Sequence, residues 1–131
     1  MCKILKNLVV LTAILFIAAS LPATAQTTNT WAFDADGVWH NAANWTPGSI
    51  PNLTNSSAIL WGGITANRTI RYDSNVKLGS LSISNSANYT LSGFGTLTFD
   101  NFGSGVGATL DVFGSGAPEI TSLMNVLENL T

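Results

Sequence analysis

Thr69-Ile70-Arg71-Tyr72-Asp73-Ser74, Ser80-Leu81-Ser82-Ile83-Ser84-Asn85, Thr96-Leu97-Thr98-Phe99-Asp100-Asn101 and Thr109-Leu110-Asp111-Val112-Phe113-Gly114 are four versions of one short pattern. Each runs small, apolar, polar, apolar, and then ends on a polar residue and a turn former, with Phe113 breaking the scheme in the last. Alternation with period two is the signature of a strand with one face toward a core. The pairs Ile70/Tyr72, Leu81/Ile83, Leu97/Phe99 and Leu110/Val112 are therefore expected to point inward. Ser, Thr and Asp point to water. Burying such a side chain contributes roughly 1.5–3 kcal/mol.

The copies start 11, 16 and 13 residues apart, and Tyr89-Thr90-Leu91-Ser92-Gly93 reads as a further strand between them. One such strand cannot bury its face alone, whereas stacked copies form a continuous core. The expected fold class is all-β: a short β-solenoid over residues 67–131. An antiparallel sandwich is the alternative. Hairpin-length connections are scarce, and the Gly/Ser-rich stretch from Asp100 to Ala108 suits the side of a solenoid coil better. Residues 119–131 read two ways. Leu123, Val126, Leu127 and Leu130 have amphipathic-helix spacing, and Ile120 to Leu130 also reads as two short strands.

Upstream, residues 26–66 contain all four tryptophans, Trp31, Trp39, Trp45 and Trp61, among the turn-forming pairs Asp36-Gly37, Pro47-Gly48, Pro51-Asn52 and Gly62-Gly63. Ala58-Ile59-Leu60-Trp61 is expected as one short strand, with the remainder looping over an aromatic cluster that caps the solenoid. Residues 1–25 form a cleavable export signal. Lys3 and Lys6 precede the apolar run Leu8 to Leu21, and Ala23-Thr24-Ala25 supplies small residues before a cut at Gln26. That run is too short to span a bilayer, which takes about 20 residues.

Composition narrows the function once the leader is set aside. Gly, Ser, Thr and Asn make up 49 of the remaining 106 residues, and 3 basic residues face 7 acidic ones. This excludes the basic surface a nucleic-acid partner requires. The only cysteine is Cys2, inside the leader, so no disulfide framework is available.

Trp39-His40-Asn41-Ala42-Ala43-Asn44-Trp45-Thr46, then Pro51, Asn67-Arg68-Thr69-Ile70, Leu78-Gly79-Ser80-Leu81-Ser82-Ile83, Tyr89 to Gly93 and Leu97-Thr98-Phe99 carry a resemblance. The run from about Thr30 to Val112 is similar to the start of bacterial exported proteins bearing the autotransporter-associated β-strand repeat. That resemblance implies a right-handed parallel β-solenoid on an extracellular or cell-surface protein, usually several times longer. It supplies no catalytic residues. No later repeats, translocator barrel or C-terminal sorting signal follow in this sequence, so the chain is expected to be a fragment of a longer passenger-type protein.

Asp34-Ala35-Asp36-Gly37 opens like a calcium loop but lacks the later oxygen ligands, so an Asp-Gly turn is expected. His40 is the only histidine; it cannot form a zinc site alone, and no motif marks a nucleophile beside it. Asp73, Asp100 and Asp111 fall near strand ends and could stack as paired carboxylates, yet their offsets differ, which favours solvated turn residues. The tryptophans either close the end of the stack or stand exposed as a sugar-binding platform. The resulting expectation has no catalytic residues, no metal, no cofactor and no assigned ligand-binding residues. It is an exported, non-enzymatic surface protein with a structural or adhesive role. The partners left open are surface glycans or further β-repeats of the same protein, without a membrane span in the mature chain. The alternatives are a carbohydrate-binding module and the N-terminal fragment of a polysaccharide-acting β-helix enzyme.

Overall fold

The computed structural model describes residues 27–127 and 129–131, so the leader expected over residues 1–25 lies outside the described residues. Twelve strands are present among them, with no α-helix and one 3-10 turn at Ala42–Asn44. The strands are β1 (Thr28–Trp31), β2 (Gly37–Val38), β3 (Trp45–Thr46), β4 (Ser57–Trp61), β5 (Arg68–Tyr72) and β6 (Val76–Leu78). They continue with β7 (Ser80–Ser84), β8 (Tyr89–Gly93), β9 (Leu97–Phe99), β10 (Thr109–Phe113), β11 (Glu119–Ile120) and β12 (Met124–Val126).

These strands form three open sheets, ordered β10-β7-β4-β1-β3, β11-β8-β5-β2 and β12-β9-β6, called here A, B and C. All neighbours are parallel except β1 and β3. The chain visits A, B and C in turn: β4-β5-β6, then β7-β8-β9, then β10-β11-β12. Each triplet stacks strand for strand on the one before. From the first triplet to the second, the step between stacked residues is 21 in B and C, from Arg68 to Tyr89 and from Val76 to Leu97, and it is 29 and 27 from the second triplet to the third. In sheet A it is 23 from Ser57 to Ser80 and 29 from Ser80 to Thr109. The longer step reflects the connection from Phe99 to Thr109, against two residues from Leu78 to Ser80.

This register corrects the expected stacking of the four similar segments. Ser80–Asn85 and Thr109–Gly114 do lie on one another in sheet A. Thr69–Ser74, however, belongs to sheet B and Thr96–Asn101 to sheet C. The reason is physical: all three sheets face one core, so every strand needs the same small-apolar-polar-apolar pattern whichever side it occupies. The pattern reports which way a residue faces, and says nothing of which strand lies above it. The inward pairs Ile70/Tyr72, Leu81/Ile83 and Leu97/Phe99 are buried, as the alternation requires.

The C-terminal residues form strands and no helix: β11 pairs with β8, β12 with β9, and Leu130 makes a parallel bridge to Ala108. Parallel pairing with the preceding triplet outweighs the helical spacing of the leucines. The Trp-rich segment also holds more strand than expected, since β1 and β2 lie beneath β4 and β5 in sheets A and B. β1 was hard to see because its first inward residue is Asn29, buried with its side-chain oxygen accepting from the Ser49 hydroxyl at 2.5 Å. A polar residue there hides the alternation.

The abundant asparagines link one triplet to the next at the corners, where the sheet ladders stop. Asn67 Oδ1 accepts the Asn88 N–H at 2.9 Å, and Asn88 Oδ1 accepts the Ala117 N–H at 2.7 Å. Asn52 serves Lys77 N–H in the same way at 2.7 Å, and Asn75 serves Thr96 N–H at 3.0 Å. Each bond satisfies a backbone donor that would otherwise lack a partner. Glycine is required where backbones nearly touch. A Cβ on Gly95 would sit 1.9 Å from the Ser74 carbonyl oxygen, and Gly93 has φ 131° with the Tyr72 carbonyl 2.1 Å from any Cβ.

Candidate functional site

Three of the four tryptophans are buried. Trp45 packs edge to face between Trp31 and Trp39, with ring centroids 5.2 and 4.7 Å away, and Trp39 continues the cluster onto Tyr72 at 5.2 Å. Their indole N–H groups donate to backbone carbonyls: Trp31 to Phe33 at 2.6 Å, Trp39 to Pro51 at 3.0 Å and Trp45 to Trp39 at 2.8 Å. Satisfied donors and edge-to-face rings are the mark of a packed aromatic core. β3 adds to this closure by running antiparallel on β1, with Trp31 opposite Trp45. Trp61 is the exception. It lies half-exposed on the outer face of sheet A, donates to Ser82 Oγ at 3.1 Å, and meets Phe113 edge to face at 5.4 Å.

His40 gathers residues that no sequence motif connects. Its Nδ1 bonds the Asp73 carboxylate, and Ser74 Oγ stands 3.4 Å from Nδ1 and 3.2 Å from Nε2. The group has the composition of a Ser-His-Asp triad, but its hydrogen bonding is different. Asn52 Oδ1 accepts the Lys77 N–H, which turns the Asn52 Nδ2 donor toward His40 Nε2 at 3.2 Å. With Nε2 accepting, the neutral ring carries its proton on Nδ1 and donates it to Asp73. Ser74 Oγ is nearly equidistant from the two nitrogens, so it sits beside the carbon between them and off the line of the Nε2 lone pair. A serine nucleophile needs that lone pair; here the amide of Asn52 holds it. The cluster is a clamp joining the Trp-rich segment, the loop at Asn52 and the turn after β5. Its partners lie 12 to 34 residues from His40 in sequence, too far for any local pattern to disclose them.

The carboxylates are similarly committed. Asp34 accepts from the Thr65 N–H at 3.0 Å, the Thr65 hydroxyl at 2.6 Å and Arg68 Nε at 3.1 Å, while Asp36 accepts the Thr69 N–H at 2.8 Å. The Asp34-Ala35-Asp36-Gly37 stretch thus anchors the lowest strands to the next triplet. The Thr65 hydroxyl and N–H, with Arg68, hold the Asp34 carboxyl below its ordinary range. Asp73, Asp100 and Asp111 do not stack: Asp73 follows β5 of sheet B, Asp100 follows β9 of sheet C, and Asp111 lies in β10 of sheet A. Asp100 takes Lys77 Nζ and Thr54 Oγ1, each at 3.0 Å, and the Lys77 ammonium is the main influence drawing its carboxyl down. Among the described residues, no three His, Cys, Asp or Glu side chains come together as a metal site. No helix there is long and apolar enough to cross a membrane.

No family model, curated protein or solved structure matches the chain. The likeness to autotransporter-associated repeats therefore rests on the sequence motifs. What the geometry brings together is a closed aromatic end, a histidine clamp, and one aromatic pair left on an outer surface.

Proposed function

We propose that the chain is an exported, non-enzymatic surface or extracellular protein of structural or adhesive role, the N-terminal portion of a longer right-handed parallel β-solenoid of the autotransporter-associated repeat type. The observation that carries this reading is the difference between the two ends of the stack. One end is closed by the buried tryptophans and the antiparallel β3. At the other, Leu110, Val112, Met124 and Val126 sit in register over buried core residues and are themselves uncovered or partly so. Leu130 pairs with Ala108, Thr131 N–H donates to the Ala108 carbonyl at 2.9 Å, and Leu110 N–H donates to the Thr131 carbonyl at 3.2 Å. These contacts carry the parallel ladder of sheet A one step beyond β10. Further strands of the same kind are the cover this edge fits.

The handedness follows from the strong preference of parallel crossover connections for the right-handed path. The non-enzymatic reading draws support from the commitment of His40, Asp34 and Asp100 to contacts between triplets. Export is tested by expressing the tagged full chain in a Gram-negative host and fractionating the cells. The expected product lies outside the cytoplasm and begins at Gln26 by mass spectrometry. An uncleaved chain retained in the cytoplasm would overturn the reading.

A further inference from the structure

The outer face of sheet A differs from the other two. Arg71 stands on the outer side of sheet B and Lys77 on that of sheet C, whereas the strands of sheet A present no cation and one carboxylate, Asp111. The rest of this face is mostly hydroxyl, with Ser80, Ser82 and Ser84 along β7, between β4 and β10. Over that strand lie two aromatic rings. Trp61 and Phe113 come from the strands on either side, both opposite Ser84, and the small serine leaves room for the rings to meet across it.

Trp61 is held in place. Its Cα pairs with Ser84, yet its indole N–H reaches Ser82, two residues back along β7, so the ring lies over the strand. At 47% exposure it has surface toward the sheet and surface toward solvent. Phe113 abuts it and is 48% exposed. An indole pinned in position loses little freedom on taking a ligand. Its π face carries negative charge density, which suits weakly positive C–H groups. Around it are hydroxyls that both donate and accept, together with the Asp111 carboxylate as a strong acceptor.

We infer that this face binds a neutral polysaccharide, with Trp61 stacking on a pyranose ring and Asp111 and the β7 serines bonding its hydroxyls. The ligand class follows from charge and chemistry. An acidic polymer meets no cation here and is repelled by Asp111, and a purely apolar partner would take the Asp111 carboxylate and the outward hydroxyls away from water. A pyranose offers both an apolar C–H face and a rim of hydroxyls.

Native affinity electrophoresis of the full chain tests this, using gels that contain galactomannan, hydroxyethylcellulose or laminarin, with polygalacturonate as the acidic counterpart. Retardation is expected in at least one neutral gel and absent with polygalacturonate. Trp61→Ala should weaken the apparent affinity by about tenfold or more, and Asp111→Asn several-fold, while Trp61→Phe, which keeps a ring, retains most of it. Phe94→Ala should change nothing: Phe94 is 94% exposed but lies beyond β8, off this face. No retardation in any neutral gel would overturn the inference, as would equal retardation of Trp61→Ala or a preference for polygalacturonate. Any of those results leaves the scaffold reading standing, because that rests on the edge of the stack and not on this face.

Discussion

Val112 lies directly over Ile83 in sheet A, one strand further along the stack, yet Ile83 is 2% exposed and Val112 is 53% exposed. The two residues occupy the same inward position and differ only in having a neighbour above. Ile83→Ala is expected to cost about 2–5 kcal/mol, as truncation in a packed core does. Val112→Ala should fall within about 0.5 kcal/mol of the parent. Urea denaturation of the two variants measures the contrast, and a Val112 loss as large as that at Ile83 would mean the edge is covered.

The tryptophans divide in the same way. Trp39→Ala should destabilise by about 3–5 kcal/mol, since it empties the centre of the aromatic cluster. Trp61→Ala should leave the unfolding midpoint nearly unchanged. In acrylamide quenching, one tryptophan should be accessible and three protected, and the accessible fraction should vanish in Trp61→Ala.

Much of this was legible in the chain. Alternation marked the core strands correctly because burial on one face imposes it residue by residue. Stacking was not legible, since three sheets around one core make the same local demand and the parallel strands that pair are 21 to 33 residues apart. The abundance of Asn was visible as corner chemistry, but its role as a link from triplet to triplet depends on which corner lies above which. The clamp at His40 was invisible for the same reason: Asp73 and Ser74 meet it only once β5 is laid on β2.

Ser74 should be unreactive toward a fluorophosphonate probe, because Asn52 occupies the histidine nitrogen that would activate it. Intact-mass measurement after incubation reads this directly. Asn52→Ala should lower stability by about 1–3 kcal/mol, by leaving the Lys77 N–H and His40 Nε2 without partners. Labelling of Ser74 in the parent chain would refute the clamp.

Acid should weaken the fold through Asp34 and Asp100. Both carboxyls are held below their ordinary range, Asp34 first by Thr65 and Asp100 first by Lys77. A carboxyl depressed in the folded state binds protons more readily when unfolded, so its stabilisation is present above about pH 4 and lost as the pH falls below it. The acid limb of a stability-versus-pH curve should be shallower in Asp100→Asn than in the parent. Identical limbs would show that the Lys77 contact does not matter to folding.

Alkali should act through Tyr72. Its hydroxyl is buried without a hydrogen-bond partner, and burial pushes its ionisation well above the ordinary tyrosine range. A phenol that resists ionising only when folded makes stability decline as the pH rises beyond about 10. Tyr72→Phe should remove part of that decline. At neutral pH it should be neutral to about 1 kcal/mol stabilising, since a solitary buried hydroxyl is costly to desolvate. A loss above about 2 kcal/mol would show that the hydroxyl has a partner after all.

The bounded step between stacked strands bears on how this chain acquires its shape. The parallel partners lie 21 to 33 residues apart along the chain. The entropy of closing a loop rises with the logarithm of its length, so the third triplet closes its loops at much the same cost as the second. The tryptophan cluster also precedes the three triplets in the chain. It gives the growing chain a finished template at one end only, and assembly can then proceed in one direction, each layer forming on the layer just completed.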